Sequence, residues 1–316
     1  MRRALALVLW CTPGCALLDA LASNEGPGPL PEPNELGTEG EGEGEGHEGE
    51  GEPEGPCQNG AQLAARSVAI GFDRSCALGC DGELRCWGAG TLEPPAGPFV
   101  EVTVGQRFAC GRRADGAVAC FGEQGVTLDG VFTTIRAGQG FVCGLDDGAS
   151  LQCAGDMDYP SFALPTGQLS TLAAGWAYVC GERLQSGALV CGGTFGAPAP
   201  PAVELHEVGV GSRFACGLDP AGEIDCFDAD GAVLPPTGTF TTIGVGDGTA
   251  CAVRADDATL ACFTETDEGA EIVAQTPIGR FLSVAVATAH ACAVREDHSV
   301  VCWGSDRYGR LSVPPP

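Results

Sequence analysis

Phe108-Ala109-Cys110-Gly111-Arg112-Arg113-Ala114-Asp115-Gly116-Ala117-Val118-Ala119-Cys120 is the stretch that decides the fold. Two short runs flank Asp115-Gly116, a strong turn signal. With Ala114-Asp115-Gly116 as a three-residue loop, glycine takes the left-handed position of a bulged turn and Arg113 faces Ala117. Counting back sets Cys110 opposite Cys120. Alternation from the turn makes that a non-hydrogen-bonded pair, in which Cα atoms approach to about 4.5 Å. A disulfide accepts that spacing. The stretch therefore predicts a β-hairpin bridged across its own two strands.

The same pattern recurs along the chain. The cysteine pairs are Cys76 and Cys86, Cys110 and Cys120, Cys143 and Cys153, Cys180 and Cys191, Cys216 and Cys226, Cys251 and Cys262, and Cys292 and Cys302. Members of a pair stand 10 or 11 positions apart; the pairs at 11 need one more loop residue. First cysteines follow one another at 34, 33, 37, 36, 35 and 41 residues, so one unit is used seven times. Short strands ended by glycine precede the pairs, as in Phe132-Thr133-Thr134-Ile135-Arg136-Ala137-Gly138 and Phe240-Thr241-Thr242-Ile243-Gly244-Val245-Gly246. Pro-rich loops such as Leu234-Pro235-Pro236-Thr237-Gly238 join the units. Helical periodicity is absent throughout.

This spacing does not fit zinc, which wants C-x₂₋₄-C knuckles. Cys76 and Cys80 form the only short spacing, and no metal or cofactor is expected. By chain entropy, a bridge closing so small a loop contributes a little under ~3 kcal/mol. Of the 18 cysteines, Cys11 and Cys15 lie in the leader. Cys57 and Cys80 then remain for an eighth bridge. So many paired cysteines exclude a reducing cytosol.

The N-terminus reads as an export signal over residues 1–22, with Arg2 and Arg3 before the apolar run Ala4 to Trp10. Two processing sites compete. Gly14-Cys15 resembles a lipobox, which would make Cys15 the lipidated first residue; Ala20-Leu21-Ala22 is an A-x-A site that would release the protein free. The first gives an outer-membrane lipoprotein of the cell envelope, the second a secreted protein. Residues 23–56 hold 11 glutamates, no basic residue and almost nothing apolar to bury, so they read as a disordered Glu/Gly/Pro-rich tether. Residues 57–316 form the repeat domain.

Charge narrows the partners. Of 42 acidic and 16 basic side chains, 12 and 2 lie before residue 57, which leaves the domain at −16. Every basic side chain is arginine. Nucleic acid is excluded, since phosphate binding needs clustered cations; basic partners are favoured in encounter.

Cys76-Ala77-Leu78 with Asp81-Gly82 and Cys86-Trp87-Gly88, and Cys292-Ala293-Val294 with Cys302-Trp303-Gly304 and Tyr308-Gly309-Arg310-Leu311, resemble regulator-of-chromosome-condensation repeats. The Trp-Gly position degenerates between them, to Phe121-Gly122, Ala154-Gly155, Gly192-Gly193, Phe227-Asp228 and Phe263-Thr264. These units are more similar to propeller-type β-lactamase inhibitory proteins and to cysteine-paired repeats of bacterial surface proteins than to the nuclear exchange factor. The resemblance implies an all-β fold, a seven-bladed β-propeller of short three- to four-stranded blades. Sheet physics agrees, because a ring covers sheet faces that one unit cannot bury. An open β-solenoid is the alternative.

No catalytic motif is present: there is no G-x-S-x-G, H-E-x-x-H or P-loop, and no pair of acids recurs at equivalent strand positions. The chain is read as a non-enzyme. His290 stands where other units have Phe108, Phe141, Tyr178 and Phe214, a packing position. Asp228-Ala229-Asp230-Gly231 lacks the ligand spacing of a calcium loop. In the inhibitory relatives, loops on one face supply aromatic anchors; the matching residues here are Arg107, Trp176, Tyr178 and Arg213. Packing between blades competes as the role of the two aromatics. Asp156 to Phe162 reads as an aromatic insert. The expectation is a monomeric protein-binding scaffold, held to the membrane by its lipid alone. The alternatives are an inhibitor of a secreted or periplasmic hydrolase and a carbohydrate-active enzyme.

Overall fold

A computed structural model describes residues 63–315 except 91, 124, 158–162, 194–199, 201–203, 213 and 229–233. The expected signal, Cys15, the tether, Cys57, Arg213 and most of the aromatic insert lie outside the described residues.

The described chain folds as seven three-stranded antiparallel sheets, each in sequence order. Blade 1 is β1 (Ala65–Ile70), β2 (Arg74–Gly79) and β3 (Leu84–Gly88); blade 2 is β4 (Glu101–Val104), β5 (Phe108–Arg112) and β6 (Val118–Gly122). Blade 3 is β7 (Thr134–Ala137), β8 (Phe141–Leu145) and β9 (Leu151–Gly155); blade 4 is β10 (Ala173–Ala174), β11 (Tyr178–Glu182) and β12 (Leu189–Gly193). Blade 5 is β13 (Gly209–Val210), β14 (Phe214–Leu218) and β15 (Ile224–Asp228); blade 6 is β16 (Phe240–Val245), β17 (Thr249–Arg254) and β18 (Leu260–Thr264). Blade 7 is β19 (Phe281–Val286), β20 (His290–Arg295) and β21 (Val300–Gly304). The first strands of all seven line one central cavity of about 420 Å³.

The hairpin geometry is the one the spacing predicts. Arg113 N–H donates to Ala117 O at 2.9 Å, Gly116 has φ +85°, and Cys110 faces Cys120. All seven pairs are bridged, with Cα atoms 4.0–4.1 Å apart. Cys80 is also disulfide-bonded, to a partner outside the described residues. The first cysteine of every pair has no exposed surface, so the bridges are core as well as cross-links. Turn acids serve the backbone: Asp81, Asp115, Asp257 and Asp297 each accept the N–H two residues on.

Three hairpins depart from glycine at the left-handed position. Ala149, His298 and, in a loop one residue longer, Ala258 hold φ of 61°, 64° and 58°. A Cβ there is strained. Ala258→Gly is expected to raise stability by up to ~1 kcal/mol, read from the urea midpoint; no gain would show that this loop carries no such strain.

Arginines latch the connecting loops. Those of Arg113, Arg183, Arg254 and Arg295 donate to the carbonyls of Ala96, Thr166, Thr237 and Ile278. Arg113, Arg254 and Arg295 also lie over the rings of Phe99, Phe240 and Phe281, at 4.5, 5.4 and 5.3 Å. A planar fork that bonds and stacks at once is arginine's chemistry, which lysine cannot supply.

One expectation fails. A helix, α1 (Asp267–Ala274), follows β18. Thr266 caps it by accepting Gly269 N–H, and Asp267 and Glu268 suit its N-terminal dipole. It buries only Gly269 and Ile272, too few positions to show as a period. The Trp303 indole donates to Ile272 O at 3.0 Å, so the helix packs against blade 7. It also fills the longest spacing between first cysteines.

Blade 7 closes onto blade 1 without covalent help. Ala65 N–H donates to His298 O at 2.8 Å, and the Trp87 indole to Arg310 O at 2.8 Å. Leu63 and Ala65 pack with Val294 and Val300.

Candidate functional site

Each first strand ends in a small residue at the same level of the ring: Gly71, Gly105, Gly138, Gly175, Gly211, Gly246 and Ala287. Their N–H groups donate back to the middle strand of their own blade, as Gly211 does to Phe214 O at 2.9 Å. Their open sides face the next blade. A Cβ on Gly71, Gly138, Gly175, Gly211 or Gly246 would come within 3.0 Å of a carbonyl oxygen of the following loop. The glycines thus form a collar whose circumference a methyl group would break. Gly211→Ala is expected to cost about 3 kcal/mol by overpacking against Gly246 O, seen as a lowered denaturant midpoint. A midpoint within error of wild type would remove the collar as a constraint.

Above the collar sits the mouth, a cavity of about 120 Å³. One loop per blade contributes a residue to its lining, among them Phe72, Gln106, Gln139, Trp176, Asp247 and Thr288. The loops are tied to each other: Gln106 N–H donates to Gln139 O at 2.8 Å, and Gln139 N–H to Trp176 O at 3.2 Å. The Thr288 hydroxyl donates to Asp247 Oδ2 at 2.7 Å. Phe72 and Trp176 stay half open, at 49% and 51% exposure. Large rings left in water around one concavity are what interaction surfaces commonly present.

The four expected anchors separate. Trp176 lines the mouth and Arg107 is exposed beside Gln106. Tyr178 is 8% exposed and packs between blades 4 and 5 with Leu205 and Ala215, so blade packing claims it. Arg213 lies outside the described residues. Of the insert, Met157 packs against the cluster of Phe141 and Leu145. Phe72 was missed, because blade 1 carries arginine (Arg74) where the aromatic position is usual and Phe72 stands before the turn. Its signal was the equivalence of Phe72 with Trp176, each next after the collar glycine.

Below the collar, the structure pairs two acids that looked unrelated. Glu101 before blade 3 and Glu207 before blade 6 hold equivalent positions, three blades apart. Glu101 Oε1 accepts the Thr134 hydroxyl at 2.8 Å and Oε2 accepts Ile135 N–H at 3.2 Å. Glu207 Oε1 accepts the Thr242 hydroxyl at 2.5 Å, and its carboxylate also accepts Ile243 N–H. Both cap N–H groups on the free edge of the next first strand. Glu101 is further ion-paired with Arg112 and Arg136. At the equivalent places near Glu207 stand Leu218 and Gly244. Enclosure by the channel wall therefore pushes the Glu207 carboxyl up, although its surface reaches channel water. A carboxylate held above its ordinary range costs stability while ionised. Glu207→Gln keeps the acceptor and is expected to raise the Tm at pH 7, whereas Glu101→Gln lowers it; equal shifts would contradict the difference in neutralisation.

Among the described residues no cluster of three His, Cys, Asp or Glu side chains could hold a metal ion. No helix among them is long and apolar enough to cross a membrane.

No curated protein matches the chain. The profile of the regulator of chromosome condensation (RCC1) repeat matches residues 65–92 and 283–310, blades 1 and 7. Among solved structures, the CRINKLY ectodomain of the Arabidopsis thaliana receptor kinase ACR4 is 21% identical, covers 80% of this chain and 100% of that chain, and has a TM-score of 0.67. The ectodomain of the Physcomitrella patens receptor kinase CR4 is 22% identical over 78% of this chain and 74% of that one, with a TM-score of 0.65. Prp20p from Saccharomyces cerevisiae is 15% identical over 79% and 74%, with a TM-score of 0.45. With seven sheets in a ring, a disulfide across each hairpin and the repeat profile on two of its blades, the chain is a seven-bladed β-propeller that carries RCC1 repeats in its first and last blades.

Proposed function

We propose that the propeller is an exported, non-catalytic scaffold that docks a protein partner on its mouth face. The observation that carries this is the pair of half-exposed rings, Phe72 and Trp176, opening on one central cavity. That cavity, about 120 Å³, is below the 300–1,000 Å³ usual for small-molecule sites and suits one side chain of a partner. Export is supported by the bridged cysteines, which a reducing compartment would open. The non-catalytic reading is supported by the channel acids, both occupied in capping strand edges. A lipid on Cys15 and a tether over 23–56 would hold this monomeric protein at the cell envelope.

Photo-crosslinking tests this. A crosslinking residue in place of Trp176 should capture a specific protein from the cell envelope, and one in place of Glu223, on the opposite face, should not. Equal capture from both positions would refute the mouth face as the docking surface. If the captured partner is a hydrolase, one-to-one loss of its activity on adding the propeller selects the inhibitor reading. The N-terminal mass of the mature protein decides between lipidated Cys15 and a free N-terminus after Ala22.

A further inference from the structure

The mouth carries more than aromatic rings, and its chemistry names the group that fits it. Asp247 is half-buried at the rim, held by the Thr288 hydroxyl at 2.7 Å. No cation is within ion-pair distance of it among the described residues. Gln106 and Gln139 line the same mouth from blades 2 and 3, and Phe72 and Trp176 line it from blades 1 and 4. Around this centre, acids follow the ends of the outer strands: Glu123, Asp156, Glu265 and Asp306 are all exposed on the mouth face. Buried Arg74 pairs with Glu123 at 3.5 Å, and Arg107 and Arg307 are the exposed described arginines there.

Resting on the docking reading above, we infer that the mouth takes an arginine side chain from a basic segment of the partner. A guanidinium is planar, always charged and carries five donors. It needs a carboxylate, further oxygen acceptors and an aromatic face, which Asp247, the two glutamine amides and Trp176 or Phe72 provide. The scaffold already seats three arginines on a ring and a backbone carbonyl, over Phe99, Phe240 and Phe281. An aliphatic anchor would cover the Asp247 carboxylate with only the Thr288 hydroxyl to answer its charge, which is costly. A lysine would satisfy the charge but not the flat faces or the spread of acceptors. The net charge of −16 on the domain steers a basic segment toward it.

The test uses the mature protein and three blocked peptides: hexa-arginine, hexa-lysine and an uncharged leucine-containing hexapeptide. Binding is followed by titration calorimetry at physiological salt, where diffuse attraction is screened. Hexa-arginine should bind at one site, with lower affinity for hexa-lysine. Asp247→Asn and Trp176→Ala should each weaken it at least ~10-fold. Glu223→Gln, on the opposite face, should leave it unchanged. Asp247→Asn keeps the acceptor for Thr288, and Trp176 is exposed, so both variants should fold; unchanged thermal transitions check this. Equal affinity for hexa-lysine would overturn the arginine assignment, and equal weakening by Glu223→Gln would reduce the effect to general acidity. If only the leucine peptide binds, and Trp176→Ala abolishes it, the docking face stands and its cationic occupant falls. If no peptide binds and crosslinks from position 176 capture nothing, both readings fall.

Discussion

Full reduction of the seven bridges is expected to unfold the propeller at neutral pH and room temperature. Each bridge closes a hairpin loop of 10 or 11 residues, for which chain entropy gives a little under ~3 kcal/mol. The sum exceeds the ~5–15 kcal/mol by which a domain is normally stable, so the reduced chain falls below zero. The packing argument points the same way. The first cysteines are core residues with no exposed surface, and facing them on the first strands are small residues such as Ala69, Gly209, Gly244 and Ala285. There is little else at those levels to bury. Circular dichroism of protein reduced in mild denaturant and returned to buffer should show loss of the native signal. Alkylation should then count reactive thiols at all bridged positions. A reduced, alkylated protein with its native thermal transition would make the bridges decoration. At the level of one bridge, Cys110→Ala with Cys120→Ala should cost about 2–3 kcal/mol and leave the other six bridges intact.

The bridges were legible because they are local. Register in a short hairpin follows from turn chemistry, so Asp115-Gly116 was enough to place Cys110 against Cys120. Blade number followed from counting. What stayed hidden depends on groups far apart in sequence. Glu101 and Glu207 become equivalent only when each is seen to reach an N–H 34 or more residues away. The collar glycines were visible as strand ends, yet their reason, the carbonyl of the next blade, needs the ring. Helix α1 was invisible because one buried apolar side chain, Ile272, makes no period. At the mouth, sequence found Trp176 but chose Tyr178 over Phe72. Tyr178 fits both an anchor and an inter-blade wedge, and contact with Leu205 and Ala215 decides for the wedge.

A buried histidine stands at the closure of the ring, next to the mouth loop. At four junctions a residue opening one middle strand packs on the second residue of the next: Phe108 on Val142, Phe141 on Val179, Tyr178 on Ala215, Phe214 on Ala250. Where blade 7 meets blade 1, the same two places hold His290 and Ser75, hydrogen-bonded at 3.0 Å. His290 is 0% exposed and its Nδ1 has no protein partner. Arg310, also buried, reaches past the seam to Phe72 O at 3.1 Å, which ties the closure to the mouth loop.

Burial, and secondarily the charge of Arg310, pulls the His290 imidazole down to about 3 from its ordinary 6.5. The folded state therefore excludes a proton that the unfolded chain binds. Stability is full above about pH 6.5 and falls by ~1.4 kcal/mol per pH unit toward pH 3, a loss of about 4–5 kcal/mol. Turn carboxylates such as Asp81 and Asp297, held down chiefly by Arg85 and Ser299 respectively, weaken the fold only below their unfolded value of 3.8. Glu207, raised by burial from its ordinary 4.5, titrates here with the opposite sign, so the window from pH 6 to 4.5 isolates the histidine once Glu207→Gln is placed in both proteins compared. His290→Phe with Ser75→Ala copies the Phe214–Ala250 junction and removes the titrating group without orphaning the serine. Urea unfolding across that window should show the protein that keeps His290 losing stability with a slope of about one proton and the one with both seam substitutions nearly flat. Parallel slopes would mean that the imidazole meets water in the folded ring, and the closed seam between first and last blades would have to be given up.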